Sequence, residues 1–150
     1  MAVKPVPEGF HTVTPYLVVK GVAKVLDFAK HAFDAKEIDR HEGPNGQIMH
    51  AQIKIGDSFV MLGEPHDGQP AFPSSLYVYV PNVDEVYKQA VKAGGASISE
   101  PADMFYGDRH GGVKDSAGNQ WWIATHIEDV SPDEMKRRAE KFMKENAHKK

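Results

Sequence analysis

Tyr106-Gly107-Asp108-Arg109-His110 brings a phenol, a carboxylate, a guanidinium and an imidazole together at the start of a strand-like segment. A guanidinium can hold a carboxylate or phosphate through two parallel hydrogen bonds, which makes Arg109 a candidate clamp and Tyr106 a neighbouring binding residue. Successive strand residues face opposite sides, so only one of Asp108 and Arg109 can enter a given site. The alternative for Arg109 is a structural pairing with a nearby loop. Gly111-Gly112 follows with no helix behind it, which points to a bulge or a close backbone approach and not to a phosphate loop. A second candidate is His50, which with Gln52 and Lys54 alternates against Met49, Ala51, Ile53 and Ile55. A neutral imidazole on that face is a candidate general base near pH 7. The same polar face also fits a solvated strand, and the sequence leaves both readings open.

The elements that must position these residues are duplicated. Shifted by 61 positions, Tyr16 meets Tyr77, Val22 meets Val83, Val25 meets Val86, Ala29 meets Ala90 and Ala32 meets Ala93. The matches from Val22 onward fall three and four residues apart, the buried stripe of an amphipathic helix. Each half reads as β-α-β-β-β. In the first, a strand within 12–20 precedes a helix from 22 to about 34 and strands at 37–42, 47–55 and 58–63. In the second, strands at 75–80, 97–100, 106–114 and 119–126 surround a helix at 83–93. Pro44-Asn45-Gly46 and Asp115-Ser116-Ala117-Gly118 mark hairpin turns. Module one therefore spans about 12–63, a Pro/Gly-rich linker 64–74, and module two about 75–127. A C-terminal helix at about 131–146 opens on Ser131-Pro132 with Glu134 completing a capping box. Its apolar stripe is Met135, Ala139, Phe142 and Met143, and its charges alternate in sign as on a solvated face.

The 150 residues suit a single α+β domain, 41% hydrophobic and 26% charged. A net charge of −3 argues against an electrostatic nucleic-acid binder. No apolar run is long enough to cross a bilayer, and the N-terminus lacks the apolar core of a secretory signal. Without cysteine there is neither a disulfide framework nor thiolate chemistry. A cytoplasmic location is the expectation, with no membrane or nucleic-acid partner. The remaining histidines, His11, His31, His41, His66 and His148, show no metal-ligand spacing.

The phrases TPYLVVKGVAKVLDFAKHAF, IMHAQIKIGDSFVML, LYVYVPNVDEVYKQAVKAGG and FYGDRHGGVKDSAGNQWWIATH, in this order, resemble the vicinal-oxygen-chelate superfamily and within it the PhnB-like branch. That superfamily holds glyoxalase I, bleomycin-resistance proteins and extradiol dioxygenases. The resemblance covers about 12–127 and implies two tandem modules whose curved sheets surround a cup-shaped cavity. It also implies a homodimer. Metal enzymes of the superfamily take ligands from the first and last strands of each module, positions that fall here on Thr14, Met61, Ser75 and Trp122. Two hydroxyls, a thioether and an indole cannot replace imidazole and carboxylate donors, and Glu64 lies three positions past Met61. No metal or other cofactor is expected.

By strand alternation the cup would be walled by Thr14, Tyr16, Met61, Ser75, Tyr77, Tyr79 and Trp122, with His50 and Gln52 reaching it from the neighbouring strand. Such a wall suits a small, partly aromatic or amphipathic molecule. The expected function is metal-independent binding of such a ligand, as in bleomycin-resistance proteins. A lyase, isomerase or dioxygenase-like enzyme with a displaced metal site or with His50 as base is the alternative. A third reading is an interaction protein whose cup is only core.

Overall fold

Val22, Val25, Leu26, Ala29 and Ala32 share one helical face, and the chain buries that face by forming a helix against a sheet. The computed structural model of the chain describes residues 2–147. Module one runs β1 (Tyr16–Val18), α1 (Val22–Phe33), β2 (Lys36–Glu42), β3 (Ile48–Ile55) and β4 (Ser58–Gly63). Module two repeats the order as β5 (Ser75–Tyr79), α2 (Val83–Lys92), β6 (Ala96–Asp103), β7 (Asp108–Lys114) and β8 (Gln120–His126). α3 (Pro132–Asn146) follows, with the Ser131 hydroxyl accepting a hydrogen bond from the Glu134 amide at 3.3 Å. Each sheet has four strands, ordered β1-β4-β3-β2 and β5-β8-β7-β6, with one parallel pair at β1/β4 and β5/β8. The tandem α+β architecture is the one the repeat implies. His148 lies outside the described residues. No helix among them is long and apolar enough to cross a membrane.

Three strands differ from the sequence expectation by two residues or more, and one of them, β7, begins at Asp108 and leaves Tyr106 and Gly107 in the preceding turn. β1 is short because Pro15 has no amide hydrogen to donate, although its carbonyl still accepts from Met61 N at 2.9 Å. β6 is longer, because register shifts at Ser97/Ser99 and Ser99/Ala102 let an edge strand carry Pro101.

The two modules share one core. The Phe28 and Phe33 rings of α1 lie 5.8 Å and 5.1 Å from Trp121 of β8, so the first helix packs on the second sheet. Trp121 is fully buried and its indole N–H donates to Asp115 at 2.8 Å. Asp115, in the β7–β8 turn, also accepts from the amides of Ala117 and Asn119 and from the Asn119 side chain. The turn thus fixes the core tryptophan as well as reversing the chain.

Each helix start is tied to the end of its module's last strand. Glu64 accepts from the Gly21 and Val22 amides at 3.0 Å and 2.9 Å, where a carboxylate also meets the positive end of the helix dipole. At the equivalent place in module two, Thr125 accepts from the Val83 amide at 2.9 Å and donates to the Val80 carbonyl at 2.8 Å.

Trp121→Ala should cost about 3–5 kcal/mol in stability, the range for emptying a large buried aromatic site. Trp122→Ala, one position on and facing the other way, should cost distinctly less by urea denaturation. Equal losses from the two substitutions would contradict this assignment of core and open face.

Candidate functional site

On β5, Leu76 and Val78 turn toward the core, while Ser75, Tyr77 and Tyr79 turn away from it. Tyr77 sits beside Trp122 in register and Trp122 beside Gly112, so these three define a row across the open face of module two. A Cβ at Gly112 would come within 2.6 Å of the Trp122 ring, so the glycine lets the indole lie against the sheet. The next row is Tyr79, Ala124 and His110, and Asp108 stands opposite His126 beyond it.

Asp108 organises this face. It is only 4% exposed, yet it accepts hydrogen bonds from the Tyr77 hydroxyl at 2.8 Å, the Tyr79 hydroxyl at 2.9 Å and His126 Nδ1 at 2.9 Å. His126 Nε2 meets Asp129 at 2.7 Å. Ionised carboxylates only accept, so both ring nitrogens carry protons and His126 is an imidazolium. His110 stacks on Trp122 with ring centres 5.2 Å apart, and its Nδ1 lies 3.1 Å from the Tyr106 hydroxyl and 3.5 Å from that of Tyr77.

The charges follow from these contacts. Burial opposes ionisation of Asp108, but His126 and the two phenols outweigh it and hold the carboxyl below its ordinary value. Burial, then the bond to Asp108, raises Tyr77, and the Asp108 bond raises Tyr79. Burial lowers His110, so that imidazole is neutral near pH 7. Hydrogen bonds to Asp108 and then to Asp129 raise His126.

Arg109 faces the opposite side. It donates to both carboxylate oxygens of Asp84 on α2, at 3.0 Å and 2.9 Å, and to Asp103 at 3.1 Å. Of the adjacent pair, Asp108 is the one on the face with the tyrosines. Thr14 precedes β1 and donates to the His11 carbonyl at 3.3 Å. Ser75 is exposed at the start of β5. Tyr16, Met61 and Gln52 form the corresponding row of module one, and the Tyr16 hydroxyl lies 3.3 Å from His50 Nδ1.

Each module therefore carries a tyrosine–histidine pair, Tyr16 with His50 and Tyr77 with His110. A constant shift of 61 sets His50 against Gly111 and misses this equivalence. In the structure β4 and β8 keep that shift, whereas β3 and β7 differ by 60, because the second hairpin is one residue longer. The difference lies in the turns: the paired Lys54 and Phe59 enclose residues 55–58, and the equivalent pair Lys114 and Gln120 encloses residues 115–119. Asp108 and His110 belong to the polar cluster read from the sequence but were not assigned to the wall, whereas His126, two positions past Ala124 on the same side of the last strand, follows from strand alternation.

Within one chain the two open faces stay apart. Tyr16, Tyr77 and Tyr79 are 39%, 43% and 62% exposed, and no hydrogen bond or ring contact joins the Tyr16–His50 set to the Tyr77–His110 set among the described residues. The crevice between the modules, about 940 Å³, runs along β5 and the start of β1 above Phe33, Val60, Leu76 and Val86, and Tyr16, Ser75, Tyr77 and Tyr79 also border it.

The sequence profile of the Glyoxalase/Bleomycin resistance protein/Dioxygenase superfamily matches residues 9–123. The chain belongs to that superfamily. It is 33% identical over 133 residues to uncharacterised proteins of Mycobacterium bovis and Mycobacterium tuberculosis, covering 81% of this chain and 88% and 78% of theirs. Among solved structures it is similar in fold to TioX from Micromonospora sp. ML1, with a TM-score of 0.67 at 22% identity over 78% of this chain and 99% of that one. It is also similar to a glyoxalase-related enzyme from Fulvimarina pelagi, with a TM-score of 0.65 at 16% identity over 82% and 94% of the two chains. The metal that many superfamily members carry does not fit the donors here. Thr14, Met61, Ser75 and Trp122 supply no imidazole or carboxylate, and Glu64 is committed to the start of α1. No group of three or more His, Asp or Glu among the described residues is placed to hold a metal ion.

The two histidines of module two should give opposite pH slopes in separate windows. His126 is raised above 6.5, so its contribution is full below about pH 6.5 and is lost as pH rises through the folded value. His110 is lowered below 6.5, so folding weakens as pH falls from about 6.5 through that lower value. Stability measured by denaturant should decline on both sides, with His126→Gln removing the alkaline limb and His110→Gln flattening the part of the acidic limb that lies above the carboxylate range, where Asp108 and the other lowered carboxylates take over. An alkaline limb unchanged in His126→Gln would contradict the assignment.

Proposed function

We propose that this protein binds a small, flat or amphipathic organic molecule on the open face of module two, without a metal, and acts as a homodimer. This places it nearer to the bleomycin-resistance members than to the metal enzymes, in the PhnB-like branch that its phrases resemble. One observation carries the reading. A nearly buried carboxylate, costly to desolvate, is spent on orienting two tyrosine rings that remain 43% and 62% exposed. Aromatic surface held rigid and uncovered is what a planar ligand needs.

The dimer supplies cover. The α3 stripe, with Phe142 43% and Met143 70% exposed, gives a second copy apolar surface to bury. A second reading, an enzyme, is favoured by His110: it is neutral, stacked on Trp122 and hydrogen-bonded at Nδ1, and stands beside His50 as a candidate base.

Light scattering should give the mass of two chains. A screen of planar aromatic compounds against dialysed, metal-free protein should find one that quenches tryptophan fluorescence. At about 100 times its dissociation constant it should stabilise the fold by about 2.7 kcal/mol. Trp122→Ala should weaken binding by at least about tenfold, as expected for losing a stacking wall. Stoichiometric metal at Thr14, Met61, Ser75 and Trp122, or binding unaffected by Trp122→Ala, would overturn the reading.

A further inference from the structure

The hydrogens on the open face of module two point inward. The Tyr77 and Tyr79 hydroxyls both donate to Asp108, so each turns an oxygen lone pair and an electron-rich ring toward solvent. His126 is consumed between Asp108 and Asp129 and offers no free charge. Two carboxylates therefore hold one imidazolium, leaving the cluster one negative charge in excess. His110 is neutral and Tyr106 is hydrogen-bonded to it. The guanidinium of Arg109, the nearest strong cation in sequence, is bound to Asp84 and Asp103 on the other side. Lys114 lies at the far end of β7, two positions beyond Gly112 and the Trp122 row. The Trp122 indole N–H has no partner among the described residues, and it is neutral.

The remaining surface is a set of π-faces and oxygen acceptors above a carboxylate. Tyr77 and Tyr79 meet edge-to-face at 5.3 Å, and Tyr106 meets His110 at 6.0 Å in the same manner. Ring faces attract cations and repel anions, because the ring quadrupole is negative on its face. A phenol that donates to a carboxylate is more electron-rich still, which strengthens that preference. From this geometry we infer that the ligand of module two is an organic cation, of the ammonium or amidinium class attached to a flat ring, seated among Tyr77, Tyr79, Tyr106, His110 and Trp122. The inference rests on the reading of this face as the binding site and adds the charge of what binds there.

Benzamidinium, benzamide and benzoate share one planar shape and differ in charge. Titrated calorimetrically into the full-length protein at low salt, benzamidinium should bind about tenfold more tightly than benzoate, with benzamide between them. Tyr79→Phe, which keeps the ring but loses the bond to Asp108, should retain most of that preference. Tyr79→Leu, which loses the ring as well as the bond to Asp108, should reduce it by about threefold or more, with folding checked by denaturation. Asp108→Asn should reduce it as well if the variant folds, and the two Tyr79 variants decide the matter if it does not. Benzoate binding as tightly as benzamidinium, or tighter, would overturn the inference and leave the binding face intact. Failure of all three probes to bind would remove the face as a site and the inference with it.

Discussion

One carboxylate determines the shape of the open face of module two. Asp108 links three strands, through Tyr77 and Tyr79 of β5, its own place on β7, and His126 of β8. Through His126 and Asp129 it also holds the segment leading to α3. A charge with so little exposure is tolerable only when its hydrogen-bonding capacity is filled, and here three donors fill it. Replacing it by an apolar residue would leave two phenols and an imidazolium without their acceptor. The aromatic rings around it therefore have defined positions despite their exposure.

The duplication shows what is fixed by folding and what is free to vary. Both modules keep a buried helix stripe, an identical strand order and a tether from the last strand to the helix start, Glu64 in one and Thr125 in the other. Both also keep a tyrosine beside a histidine. The open faces otherwise diverge. Where module two has Trp122, Tyr79 and Gly112, module one has Met61, Val18 and Gln52. A shared scaffold with different chemistry on its uncovered surfaces is how function is grafted onto a common fold.

Much of the scaffold was legible in the sequence, because burial imposes period. The helix stripe at Val22 and Val83 and the alternation of Tyr77 and Tyr79 against Leu76 and Val78 follow from packing alone. Arg109 and Asp108 had to face opposite ways, but which of them joins the tyrosines depends on strand pairing, and only the register of β7 against β8 decides it. His110 was hidden by one extra turn residue, which shifts the repeat from 61 to 60 along a single strand. The packing of α1 on Trp121 was not legible either. It depends on the docking of the two modules, and each helix stripe would look the same against its own sheet alone.

The chain has two tryptophans, one on each side of the same strand. Their indole N–H signals separate the core from the proposed site in a single two-dimensional NMR spectrum. On titration with benzamidinium, the account predicts that the Trp122 signal moves and saturates while the Trp121 signal, held on Asp115, stays in place. A stationary Trp122 signal, with shifts instead at Phe33, Leu76 and Val86 along the intermodule crevice, would contradict it.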